Sequence, residues 1–306
     1  MVESIRPIAK KISELKIQGA RNIAIAAIEA LVELSKVTKS KTKKEFLIEL
    51  YEGQKLLFNS RETEPLMRNA IRWIINQIEK TDTKEVIKLS QIVKSSVDEF
   101  LKNLEESKDQ IANIGKKRIR NNSTILTHCH SSTVTKLLID AYKEGKNFEV
   151  FCTETRPVFQ GRITAQELIR NGIKTTLIVD SAARSIIKEI DLVVVGADAI
   201  TSEGNVINKI GTSTIALIAK EARKPFYVVS ELLKFDPITV CGDYEKIEER
   251  DPSEIWKNAP RNLIIKNPAF DVTRRDFIHG IICEQGIIPP HSIFEVVHRN
   301  YKWIFQ

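Results

Sequence analysis

Ile125-Leu126-Thr127-His128-Cys129-His130-Ser131-Ser132 is a short apolar run that ends at a thiol and leads into a helical pattern. In an α/β fold such a run is a buried parallel strand, and ligands collect outside the carboxyl ends of such strands. A second run, Leu192-Val193-Val194-Val195-Gly196-Ala197-Asp198, ends in an acid. The two strand ends predict a thiol and a carboxyl facing one crevice, a pair able to take a proton from carbon and give one to oxygen.

Downstream of the turn-prone Asn121-Asn122-Ser123, short β-rich runs alternate with helical segments: Ile125 to Thr127, Phe148 to Cys152, Thr176 to Val179, Leu192 to Val195, Phe226 to Val229 and Leu263 to Ile265. Between the first two, Val134, Leu137, Leu138, Ala141 and Tyr142 recur at helical spacing until Gly145 stops the helix. This alternation predicts a Rossmann-like parallel sheet with helices on both faces. No Gly-x-Gly-x-x-Gly follows the first run, so a dinucleotide cofactor gains no support.

Upstream, from Arg21 to about Gly115, the pattern is helical. Ile25, Ile28, Leu31 and Val32 form one apolar stripe with Glu29 and Glu33 on its polar side, and Phe46, Leu47, Leu50 and Tyr51 form another. Further helices are expected over Pro65 to Ile78 and, with a break, from Thr83 to Ile114. The expected organisation is α/β: an amino-terminal helical domain over residues 1–120, then a Rossmann-like α/β domain over 121–306.

The chain of 306 residues is long enough for a substantial core, and its 42% hydrophobic and 28% charged content is ordinary for a globular protein. No apolar run approaches the roughly 20 residues that span a bilayer. The start, Met1-Val2-Glu3-Ser4-Ile5-Arg6-Pro7, lacks the charged-then-apolar order of an export signal, so a cytoplasmic location is expected. Cys129, Cys152, Cys241 and Cys283 show no Cys-x-x-Cys pairing, and reduced thiols are expected. A formal net charge of +7 favours anionic ligands, but arginines are not interleaved with aromatics as in single-strand binders, so no direct nucleic-acid partner is expected.

His128, Cys129 and His130 suggest a metal, but neighbours in an extended segment point to opposite sides and do not converge on one ion. Ser131-Ser132-Thr133 offers hydroxyls at a helix start, where free N–H groups favour a phosphate or the thiolate itself. Asn208-Lys209-Ile210-Gly211-Thr212 reads as a second helix entry and phosphate cradle, and Lys234 lies beyond the strand Phe226 to Val229. Arg156 and Arg162 either fork onto phosphate or, through an Arg156–Glu154 pair, shape their loop.

Thr127-His128-Cys129-His130-Ser131, Thr153-Glu154-Thr155-Arg156-Pro157, Gly196-Ala197-Asp198, Asn208-Lys209-Ile210-Gly211-Thr212, Asn267-Pro268-Ala269-Phe270-Asp271-Val272-Thr273 and Gly286-Ile287-Ile288-Pro289-Pro290 occur in this order. The series resembles the family that joins ribose-1,5-bisphosphate isomerase, methylthioribose-1-phosphate isomerase and the regulatory subunits of translation initiation factor 2B. Its pattern is nearest to that of the archaeal ribose-1,5-bisphosphate isomerases.

The resemblance implies catalysis by Cys129 and Asp198, and substrate contacts at Gly19, Ala20, Arg21, Arg61, Ser131, Ser132, Thr133, Asn208, Lys209 and Lys234. It implies an isomerase of a phosphorylated pentose that needs no metal or organic cofactor, with the thiol's pKa lowered by cations or a helix terminus. A homodimer or hexamer is implied as well. The chain departs from the isomerases at Gln18-Gly19-Ala20-Arg21, where they carry Arg-Gly-Ala-Gly, and in the acidic Glu62-Thr63-Glu64-Pro65. These departures motivate the alternative, a regulatory-subunit-like protein that binds initiation factor 2 without catalysis.

Overall fold

Apolar residues at helical spacing become helices α1 (Arg6–Ser13), α2 (Ala20–Val37), α3 (Lys43–Phe58), α4 (Pro65–Lys80) and α5 (Val86–Gly115) in a computed structural model that describes residues 2–61, 63–243 and 246–305. The chain divides into two compact units, one of Met1–Glu106, Leu233–Phe235 and His298–Gln306, the other of Ser107–Leu232 and Asp236–Val297.

In the first unit α2 buries Ile23, Ala24, Ala27, Ile28 and Leu31 and leaves Glu29 and Glu33 exposed, the amphipathic division that its spacing predicts. Thr42 and Glu45 form a reciprocal capping box at the start of α3, and Pro65 opens α4, where its missing N–H costs nothing. Two expectations fail here. Tyr51 is not a core residue but is 43% exposed, its hydroxyl donating to Glu79. The expected break in α5 is absent, for Val86–Gly115 is one helix of 30 residues. Asn69, fully buried, donates from Nδ2 to the carbonyls of Leu233 (2.9 Å) and Phe235 (2.8 Å), which pins the segment carrying Lys234.

The second unit is built on strands β1 (Ser123–Thr127), β2 (Phe148–Thr153), β3 (Lys174–Ile178), β4 (Leu192–Val195), β5 (Ala199–Ile200), β6 (Val206–Lys209), β7 (Phe226–Val229), β8 (Phe270–Thr273), β9 (Gly280–Cys283) and β10 (Gly286–Ile288). Its helices are the end of α5, then α6 (Ser132–Lys143), α7 (Gln160–Arg170), α8 (Ala183–Ile186), α9 (Thr212–Glu221) and most of α10 (Ile293–Asn300). Seven strands form one sheet in the order β10-β9-β7-β4-β1-β2-β3, parallel except for β10.

The chain moves from β1 outward to β2 and β3, then returns to place β4 on the other side of β1. Right-handed crossovers running in opposite directions put their helices on opposite faces. Accordingly α6 packs beside α7, and α8 beside α9. One face is closed by the α5 end, α6 and α7, where Ile111, Ala112, Leu137, Leu138 and Leu168 meet Ile125, Val150 and Val194 of the sheet. The carboxyl ends of β1 and β4 flank the switch point, the crevice where open α/β sheets bind ligands.

A small antiparallel sheet, β5-β6-β8, leaves the main sheet just after β4. The predicted strand at Leu263 to Ile265 does not form: Leu263 is 48% and Ile264 86% exposed in a loop, and the corresponding edge of the main sheet is supplied by β9 and β10. Asn208 and Lys209 also differ from expectation, because they end β6 and do not open a helix. Among the described residues no helix is long and apolar enough to cross a membrane.

Candidate active site

Cys129 lies one residue past His128 at the carboxyl end of β1, with φ 68° in the left-handed region. That conformation costs a non-glycine residue about 1–2 kcal/mol. Two threonines hold it in place: the Cys129 N–H donates to Thr155 Oγ1 (2.9 Å), and Thr164 Oγ1 donates to the Cys129 carbonyl (2.9 Å). The thiol is 9% exposed and lies 3.6 Å from Gln160 Oε1, to which it donates.

The same bend overturns the picture of an extended His128-Cys129-His130 segment, although the two rings still find separate partners. His128 Nδ1 meets Thr153 Oγ1 at 2.6 Å and Nε2 meets the Ile210 carbonyl at 2.9 Å, whereas His130 Nδ1 meets Thr164 Oγ1 at 3.1 Å. Among the described residues no group of three or more His, Cys, Asp or Glu is placed to hold a metal.

Asp198 follows β4 and precedes β5, so it stands where the chain passes from the large sheet to the small one, half-buried. Its N–H donates to the Ile207 carbonyl at 2.9 Å, which ties it to β6. Gly196 permits this placement, since a Cβ there would come within 2.8 Å of Ser131 Cβ. The backbone after β4 therefore lies directly against the loop after β1.

Lys209, 4% exposed at the end of β6, sits 5.1 Å from the centroid of the Phe270 ring, and Asn208 donates to Thr212 Oγ1 at 3.0 Å. Gly211, with φ 104°, lets the chain turn into α9 under the His128 ring, which a Cβ would approach to 3.2 Å. His128 thus links the Lys209 turn to the strand that carries the thiol.

Charge around the sulfur is mixed. Burial pushes the Cys129 thiol up to about 12; Lys209 and the His130 N–H pull it down, while Asp198 and Asp180 push it up. The expectation of a lowered thiol pKa therefore fails, because desolvation outweighs the cation and the backbone donor. Asp198 and Lys209 act on the thiol in opposite senses, the acid raising its pKa and the cation lowering it.

The two expected phosphate cradles differ. At α6, Ser131 caps the helix by accepting from Val134 N (3.4 Å), Ser132 is half-buried in its first turn, and Thr133 donates to Glu231 Oε1 (3.2 Å). At α9 the N–H groups of Gly211 and Ser213 already donate to the Asp271 carboxylate, at 2.8 and 3.0 Å, so a side chain of β8 fills that cradle. Burial holds Asp271 up at about 6 against these two donors. In the β2–α7 loop the pair is Arg162–Glu154 (3.4 Å), not Arg156–Glu154, and both arginines lie over the Phe159 ring.

Sequence reasoning missed Thr155, Gln160, Thr164, Asp180 and Asp271. Asp180 accepts from the N–H groups of Thr155 (2.7 Å) and Arg156 (2.8 Å) and so supports the loop that holds Cys129. The signal available in the sequence is Thr153-Glu154-Thr155-Arg156-Pro157 after a strand, whose Thr155 accepts from the Cys129 N–H.

The remaining expected contacts belong to the first unit. Gly19 is the N-cap of α2 with φ 84°, Ala20 is the first residue of the helix, and Arg21 donates to the Leu104 carbonyl (3.0 Å) and pairs with Glu105. Arg61 is 8% exposed and pairs with Glu64 at 3.3 Å, and Lys234 is 7% exposed. Glu62 lies outside the described residues.

Residues 16–290 match the initiation factor 2 subunit family. The chain is 40% identical, over all of its length and 97% of the relative's, to ribose 1,5-bisphosphate isomerase of Pyrococcus furiosus. It is 35% identical to methylthioribose-1-phosphate isomerase of Thermoanaerobacter sp., over 94% of this chain and 88% of that one. The crystal structure of Pyrococcus horikoshii translation initiation factor eIF-2B superposes with a TM-score of 0.82 at 32% identity, covering 94% of this chain and 98% of that one.

Proposed function

The chain belongs to the initiation factor 2 subunit family, and from that premise we propose that it is an aldose-to-ketose isomerase converting ribose 1,5-bisphosphate to ribulose 1,5-bisphosphate. One observation carries the reading: a thiol and an acid at the ends of β1 and β4 flank the switch point of the sheet, where the backbone at Gly196 lies against Ser131. Relatives that bear this isomerase name match the whole chain, which favours the bisphosphate over the single phosphate of methylthioribose 1-phosphate.

In this mechanism Asp198, carrying a proton, donates it to the furanose ring oxygen as the bond from that oxygen to carbon one breaks. Cys129 Sγ, as thiolate, removes the proton from carbon two, and the C–H electron pair becomes the C1–C2 double bond of an enol. Loss of the proton on the carbon-two oxygen and protonation at carbon one complete the ketone, with both phosphates retained. Lys209 and the His130 N–H are the groups that favour the thiolate, and the Thr155 and Thr164 clamps hold the sulfur in line. Gly19, Ala20, Arg21, Arg61, Ser131, Ser132, Thr133, Asn208, Lys209 and Lys234 are the substrate contacts we assign. The active assembly we infer is a homodimer or hexamer, checked by sedimentation.

A second reading, binding of initiation factor 2 without catalysis, draws on one observation: Arg21, at the point of departure from the isomerase pattern, is tied to Leu104 and Glu105. Purified protein separates the readings. Conversion of ribose 1,5-bisphosphate, followed by phosphorus NMR and faster than that of methylthioribose 1-phosphate, supports the isomerase. No conversion of either sugar, together with a stable complex with initiation factor 2, overturns it.

A further inference from the structure

The amino edge of the seven-stranded sheet carries a second concave site. A cavity of about 640 Å³ opens where β1, β4 and β7 begin, and its walls include Lys117, Arg118, Arg120, Arg223, Lys224 and Tyr227. That volume is in the range of small-molecule sites, roughly 300–1,000 Å³. Because β1 runs from Ser123 to Thr127 at roughly 3.3 Å per residue, this edge is about one strand length from Cys129.

Its charge is strongly positive, five cations against one acid. The one acid in the wall, Asp191, accepts from the Thr124 N–H at 2.9 Å and is committed to the start of β1. Lys224 donates to the Lys188 carbonyl (3.1 Å) and Arg118 lies 6.0 Å from the Tyr227 ring centroid, but Lys117, Arg120 and Arg223 have no ion pair among the described residues. Lysines just outside the cavity behave differently: Lys116 pairs with Glu144 at 2.5 Å, and Lys146 donates to the Ile119 carbonyl at 3.0 Å.

Like charges gathered in one concavity repel one another, and a multivalent anion relieves that repulsion best. Arginine forks beside lysine point charges suit phosphate oxygens. Arg223 is held with φ 54°, so the α9–β7 turn presents its guanidinium from a fixed backbone. Half-buried Tyr227 supplies a flat, partly apolar wall.

We propose that this cavity binds a small oligophosphate anion, inorganic or esterified pyrophosphate, at a site separate from the Cys129 edge. Two adjacent phosphates match the two banks of cations, Lys117, Arg118 and Arg120 on one side and Arg223 and Lys224 on the other. The site is independent of the isomerase reading, since none of its residues serves that reaction.

The test is calorimetric titration of the full chain with inorganic pyrophosphate and, separately, with a nucleoside diphosphate. The double variant Arg120→Gln, Arg223→Asn keeps a residue tolerant of positive φ at position 223 and should weaken binding by roughly tenfold per lost contact. A control, Lys94→Gln, Lys143→Gln, removes the same charge from exposed helix positions and should leave affinity unchanged, as both variants should leave turnover unchanged. Tighter binding of the inorganic anion or of the diphosphate identifies the source, and either supports the proposal. Equal affinity in the cavity variant, equal weakening in the control, a dissociation constant weaker than about 1 mM, or tighter binding of an acidic peptide than of either anion overturns it.

Discussion

The two edges of the main sheet handle charge in opposite ways. At the carboxyl edge Lys209 is 4% exposed beside a ring, His128 is bonded at both nitrogens, and Cys129 is held through its N–H and its carbonyl. At the amino edge Lys117, Arg120 and Arg223 are exposed and lack ion pairs among the described residues. Buried charges are costly unless their neighbours fix them, and fixed neighbours are what proton transfer to and from carbon requires. Exposed cations are cheap to maintain and remain available to an anion that arrives. The difference suits the two proposals, chemistry at the first edge and anion binding at the second.

Substitutions at the carboxyl edge should break this contrast most severely. Asp198→Asn removes the acid that the proposed mechanism places at the ring oxygen, and kcat should fall by about 10²–10⁴ with little change in KM; steady-state kinetics on ribose 1,5-bisphosphate check it. Lys209→Met removes the cation that lowers the thiol's pKa, so alkylation of Cys129 by iodoacetamide at fixed pH should slow by roughly tenfold, read by mass spectrometry of the labelled peptide. His128→Asn cuts the link between the Lys209 turn and β1; kcat should drop by roughly tenfold, with thermal stability lowered by no more than about 2 kcal/mol.

The smallest effect concerns Asp271. Its carboxyl is raised from 3.8 to about 6 in the folded chain, so the folded state binds the proton more tightly than the unfolded one. Stability from this group is greatest below pH 3.8 and declines as pH rises through about 6. Asp271→Asn should remove that share of the decline, which melting curves taken across the window will show.

Much of this arrangement is legible in the amino-acid order. Ile125 to Thr127, Phe148 to Cys152, Leu192 to Val195 and Phe226 to Val229 announce themselves because strands buried on both faces are runs of apolar residues. Cys129 and Asp198 follow from where two of those runs stop. Strands β5, β6 and β8 are not legible: Val206–Lys209 contains Asn and Lys, and only pairing with β5 and β8 makes it a strand. Leu263 to Ile265 misleads for the converse reason, being apolar without a neighbouring strand to pair with. Thr155, Thr164 and Asp271 act through hydrogen bonds to residues 26 to 60 positions away, which periodicity does not reveal. The thiol's raised pKa likewise reflects burial by several elements at once, and the adjacent helix start predicts the opposite sign.

The most direct measurement is kcat/KM for ribose 1,5-bisphosphate between about pH 7.5 and 10, with the native chain and with Cys129→Ser. Cys129 acting as the base predicts turnover by the native chain across the range, and a serine variant that still binds the sugar but has lost turnover throughout. Undiminished isomerisation by Cys129→Ser anywhere in the range would contradict the account.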